Sequence, residues 1–88
     1  MSMNKVTWDI REGLGEKKIL FKSPKKQAIR FFKHKLKYYP NFATNFIILT
    51  RWVSVAFWDG KYYDYEKPEV DKSWSSKDPL IDKTLDLI

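Results

Sequence analysis

Four cations at helical spacing carry the most specific chemistry in this chain. Lys26, Arg30, Lys33 and Lys37 recur at i, i+4, i+7 and i+11, so on an α-helix they stack in one stripe. Gln27, Phe31, His34 and Tyr38 repeat that spacing one position later and form a second stripe beside the first. Cations neutralise phosphates, and aromatic rings stack on bases of any sequence. The two stripes therefore describe a surface for nucleic acid, with Lys22 and Lys25 assisting from the approach to the helix. Trp52 and Trp58, farther along the chain, are further rings for stacking. No Asn/Arg pattern for reading base edges is visible on the helix, so low sequence specificity is expected.

The cationic character is local. Nine Lys/Arg residues lie between Lys17 and Lys37 with no acid among them, while the rest of the chain carries eight basic and eleven acidic side chains. From Asp59 onward there are eight acids against five lysines. That acidic segment is expected to fold back and partly neutralise the helix, or to leave a dipolar surface that steers the molecule onto a partner. A block of this kind faces an anion: nucleic acid, an acidic protein surface or a lipid headgroup layer. The alternative to nucleic-acid binding is a protein-binding module, an inhibitor or adaptor. It would dock the same stripe on an acidic patch of a larger protein with its aromatics as anchors. A membrane-lying helix fits less well, because the apolar face is needed for the core.

Catalysis finds little support. His34 is the only histidine and there is no cysteine, which removes multi-histidine and thiolate metal sites and a thiol nucleophile. Ser54, Ser73, Ser75 and Ser76 lack an adjacent base or a nucleophile-elbow pattern. None of the three glycines forms a phosphate-cradling loop. Asp59, Asp64, Glu66 and Glu69 match no calcium or magnesium loop. A nuclease working with Lys, Arg and Tyr alone is chemically conceivable, but nothing positive points to one. The expectation is a non-enzymatic protein with no cofactor and no metal.

The elements that must position these residues follow from periodicity and turn chemistry. Residues 5–22 form a hairpin. Val6, Trp8 and Ile10 alternate with Thr7, Asp9 and Arg11, Gly13-Leu14-Gly15 turns, and 17–22 return with Ile19 and Phe21 on one face. Ser23-Pro24 opens a helix over 24–39, with Ser as the cap and Pro in the first turn. Pro40 ends it. Its core face is Ala28, Ile29, Phe32, Leu36 and Tyr39. Phe31 and Tyr38 then lie away from the core, either open or covered by the C-terminal helix or the Trp74 loop.

Residues 46–65 form a second hairpin through a two-residue Asp59-Gly60 turn. It would pair Trp58 with Lys61 and Phe57 with Tyr62, leaving two apolar faces. One holds Val53, Val55, Phe57 and Tyr62; the other holds Trp52, Ser54, Ala56, Trp58, Tyr63 and Tyr65. The second face either makes room for the crossing helix at Ser54 and Ala56 or is an open aromatic platform. A loop over 66–77 and an amphipathic helix over 78–88, with Leu80, Ile81, Leu85, Leu87 and Ile88 apolar, complete the chain.

Eighty-eight residues, 43% hydrophobic and 17% aromatic, suit one small α+β domain. It has ββαββ order with a C-terminal helix, one amphipathic helix packing on a mainly antiparallel sheet. That order, over residues 5–65, resembles a β-grasp-like arrangement, which implies one helix across a small mixed sheet. Met1 to Arg11 has no apolar leader core, and the longest uncharged apolar run, Phe46 to Thr50, is too short to span a bilayer. A cytoplasmic protein with no membrane contact is expected. No feature of the sequence assigns an oligomeric state.

Overall fold

The computed structural model describes residues 2–58, 60, 63–65 and 67–88, with side chains described for 4–55, 60 and 67–88. Strand β1 (Ser2–Glu12) and β2 (Lys18–Ser23) precede helix α1 (Lys25–Lys35), which tightens into a 3-10 turn over Leu36–Tyr38. Then follow β3 (Ile47–Trp58), β4 (Tyr63–Tyr65), β5 (Glu69–Ser75) and helix α2 (Ile81–Asp86). The sheet order is β2-β1-β3-β4, and β5 lies beside β3 on the same side as β4. Every described neighbour pair is antiparallel. The chain is thus α+β, as its patterning requires. β2 and β3 run parallel to each other with β1 between them, so the mixed sheet of a β-grasp-like arrangement is not formed among the described strands.

Alternation decides which face of the sheet is buried. Trp8 and Ile10 of β1 sit opposite Arg51 and Leu49 of β3, and Leu49 faces Trp74 of β5. Ile10, Ile47, Leu49 and the α1 residues Ala28 and Phe32 are fully buried, and Trp8, Trp74, Ile81 and Leu85 join them in one cluster. Burying side chains of this size contributes about 1.5–3 kcal/mol each. Both helices therefore cover one face. Arg51 falls on that face too, half-buried, with its guanidinium 5.6 Å and 5.4 Å from the rings of Trp8 and Trp74. Those rings stack 5.7 Å apart, and Asp71 pairs with Arg51 Nε at 2.6 Å. The cation caps the end of the core, and β3 runs through it unbroken.

Several expectations are corrected. Residues 66–77 are not a loop: 69–75 form β5. Its sequence, with most side chains exposed, carries no alternation of apolar residues, and the strand is held by backbone pairing along the free side of β3. Its charges suit an edge strand. The second hairpin pairs Trp58 with Tyr63 and Phe57 with Asp64 rather than with Lys61 and Tyr62. Strand alternation has a period of two, so an apolar pattern cannot separate two registers that differ by two residues. Asp59 of the expected two-residue turn, and Lys61 and Tyr62 after it, lie outside the described residues, while Gly60 has φ +103°.

Helix α2 begins at Ile81, not Asp78, and only Ile81, Leu85 and Ile88 pack inward; Leu80 and Leu87 stay exposed. Pro24, not Ser23, caps α1, in extended conformation. The Ser23 hydroxyl donates to the Pro24 carbonyl at 3.2 Å, so it does not serve a free helix N–H.

Candidate nucleic-acid interface

Asp9 organises the edge of the sheet. The β1–β2 register slips twice, pairing Trp8 with Ser23, Ile10 with Leu20 and Arg11 with Lys18. The slips are β-bulges, which bend a strand and re-aim its side chains. Lys22 takes φ +49° there, an uncommon conformation for a residue with a side chain. Its N–H donates to Asp9 Oδ1 at 2.9 Å, while Lys18 Nζ lies 3.0 Å from Asp9 Oδ2. Asp9 is buried, but its charge is thus met by two donors. The bulges also break the simple alternation expected of β2. Ile19 and Leu20 both pack against the core, and Phe21 is left 57% exposed.

Lys18 reaches across this edge. Its ammonium lies 4.4 Å from the centroid of Phe21 and 5.7 Å from that of Trp52. Lys22 Nζ is 5.2 Å from Phe21. These groups, with Asp9, Lys67 and Pro68, line a cavity of about 220 Å³. Trp52 alternates with Leu49 and Arg51, so it projects from the face away from the helices. Among the described residues its buried indole Nε1 has no hydrogen-bond partner.

A larger cleft, about 600 Å³, opens on the helix side of the same edge. Lys17 and Lys18 line it from the hairpin; Phe31, Lys35 and Tyr38 line it from α1 and its 3-10 turn. Lys35 Nζ is 5.4 Å from the Phe31 ring and 5.7 Å from that of Tyr38, and Lys37 Nζ is 5.1 Å from Tyr38. Tyr38 is 62% exposed. At the back of the cleft the Tyr39 hydroxyl donates to Glu12 Oε1 at 3.1 Å. Burial, and then the hydrogen bond and charge of Glu12, push the Tyr39 phenol above its ordinary value of 10.0.

The sequence-derived residues fall into three groups. Lys25, Lys26, Arg30, Lys33, His34 and Lys37 are exposed along α1 and its continuation. Lys33 is paired with Asp86 of α2 at 2.6 Å, so the acidic C-terminal segment does reach the basic helix. Phe31 and Tyr38 enter the cleft. Phe31 is half-buried and packs against the core, which corrects its expected place away from it. Lys22 and Trp52 belong to the other cavity, and the side chain of Trp58 lies outside the described residues.

Lys17, Lys18, Lys35, Phe21 and Lys67 were not singled out by the stripes. Lys35 was legible, since Phe31–Lys35 and Lys35–Tyr38 are i,i+4 and i,i+3 pairs. The Lys18–Asp9 contact depends on the bulges, which no sequence pattern marks.

Among the described residues no three His, Cys, Asp or Glu side chains gather to hold a metal, and no helix is long and apolar enough to cross a membrane. The Asp59, Asp64 and Glu66 side chains fall outside that set. No protein-family model, no curated protein and no solved structure matches this chain.

Proposed function

We propose that this is a non-enzymatic protein that binds single-stranded nucleic acid along the cleft between the β1–β2 hairpin and the C-terminal end of α1. The observation that carries the reading is the Tyr38 ring, 62% exposed and flanked by Lys35 and Lys37 at 5.7 Å and 5.1 Å. An open ring between two ammonium groups offers a stacking plane and two phosphate contacts at one place. Duplex bases are already stacked, so such a ring favours single strands. Lys17 supplies a further cation across the cleft, and the exposed Lys25, Lys26 and Arg30 draw the strand toward the helix, Lys33 being paired with Asp86. Contacts are to backbone and ring faces, which gives little sequence preference. A cytoplasmic location fits a chain without cysteine.

The test is fluorescence anisotropy of labelled single-stranded DNA and RNA across 50–200 mM salt, with wild type and a Lys17→Gln/Lys35→Gln/Lys37→Gln variant. Each phosphate neutralised on a single strand contributes about 0.7 to the slope of log affinity against log salt. The variant is expected to lose about two units of slope. An unchanged slope would remove the cleft from the reading. No binding by the wild type at low salt would sink nucleic-acid binding altogether and favour an acidic protein surface as the partner.

A further inference from the structure

The cavity on the helix-free face of the sheet is a second feature, and the cleft does not account for it. Its walls are apolar: the exposed Phe21 ring, Trp52 and Pro68. Its cations are Lys18, Lys22 and Lys67, against the single carboxylate of Asp9. Asp9 is already engaged by Lys18 and by the Lys22 N–H. Beyond the Lys18–Asp9 pair, Lys22 and Lys67 border the slot, which suits a flat, uncharged ring joined to an anionic linker. At about 220 Å³ it falls below the roughly 300–1,000 Å³ that drug-sized ligands occupy. One ring system is therefore the occupant of matching size.

Continuity points to the same ligand. Lys18 lines both this cavity and the helix-side cleft, and β2 is the edge strand between them. A strand lying in the cleft meets Lys18 and needs only to turn over the edge of β2 to reach Phe21.

We propose that the Phe21–Trp52 cavity takes one unstacked nucleobase of the single strand whose backbone lies in the cleft. This rests on the single-strand reading above. The base takes the place over Phe21 and Trp52 that the Lys18 ammonium holds in the free protein, and its flanking phosphates meet Lys22 and Lys67. The slot thereby makes affinity depend on bases as well as on charge.

The experiment compares two labelled twelve-nucleotide strands, one of thymidines and one abasic, of equal charge, with a uridine strand as the RNA arm. Wild type, Phe21→Ala and Phe42→Ala are titrated with each; Phe42 is a second exposed ring, 86% accessible, outside both cavities. Circular dichroism checks the fold of each variant. Phe21→Ala is expected to weaken binding of the base-bearing strands by about five- to a hundredfold, the range for loss of one stacking ring, while abasic binding stays within about twofold. Phe42→Ala should change neither. If the wild type binds and Phe21→Ala weakens all strands equally, weakens none, or matches Phe42→Ala, the base slot is refuted and the cleft reading survives. If the wild type binds no strand, both fall together, and the slot is left to a partner's side chain.

Discussion

Removing the Asp9 carboxylate tests the device that shapes both cavities. Asp9 is 5% exposed; its two oxygens hold the Lys22 N–H at 2.9 Å and the Lys18 ammonium at 3.0 Å. A hydrogen bond to a charged group contributes about 1.5–3 kcal/mol. The Lys18 side chain is 44% exposed, so the ion pair itself is discounted to about 0.5–1 kcal/mol. Asp9→Ala loses both contacts and leaves the Lys22 N–H without this acceptor, at a cost of about 2–4 kcal/mol. Asp9→Asn keeps an amide oxygen for that N–H and loses the ion pair, at a cost of about 1 kcal/mol. For a chain of this size each kcal/mol moves the thermal midpoint by about 4–8 °C.

Urea unfolding followed by tryptophan fluorescence and by circular dichroism measures both variants. The expected order is wild type, then Asn, then Ala, with unchanged slope in urea. Equal losses for Asn and Ala would show that charge, not the Lys22 N–H, is what Asp9 supplies. A loss below about 0.5 kcal/mol for Ala would refute the claim that this carboxylate holds the bulge, since surface changes of no consequence fall in that range.

Two further predictions concern the end of β1 and the turn after it. Tyr39 keeps its proton more tightly folded than unfolded, so its contribution is fully present below pH 10 and is lost as pH rises through the higher folded value. The stability difference between wild type and Tyr39→Phe should therefore shrink above pH 10 in urea melts; a difference independent of pH would contradict the raised proton affinity that burial and Glu12 together give the phenol. A Cβ on Gly13 would run into the Phe46 ring, and the Gly13 N–H donates to the Phe46 carbonyl at 2.7 Å. Gly13→Ala should lower stability by about 1–3 kcal/mol, and a neutral effect in the same melts would show that the ring moves aside freely.

Much of the fold was legible because it rests on local periodicity. The alternation that carries Trp8 and Ile10, and the helical spacing of Ala28, Phe32 and Leu36, each mark an apolar face whatever lies opposite, although Val6 in the same alternation stays 47% exposed. β5 was not legible, because Glu69 to Ser75 offers no apolar repeat and becomes a strand only where β3 presents free backbone groups. The register of the β3–β4 hairpin was hidden for a related reason, since a two-residue slip preserves both faces.

The sequence by itself determined the charge block, the absence of cysteine and of a second histidine, and the helical register that sets Tyr38 beside its lysines. Those are properties of composition and of spacing along one element. Only the tertiary structure decided that the helices take the Leu49 face and leave Trp52 on the other. It also decided that Asp9 draws Lys18 and Lys22 together across a bulged edge, and that Phe31 turns partly inward while Asp86 meets Lys33. Each of these joins residues far apart in the chain. Their meeting is set by backbone pairing and core packing across the whole sheet, and no local pattern encodes it.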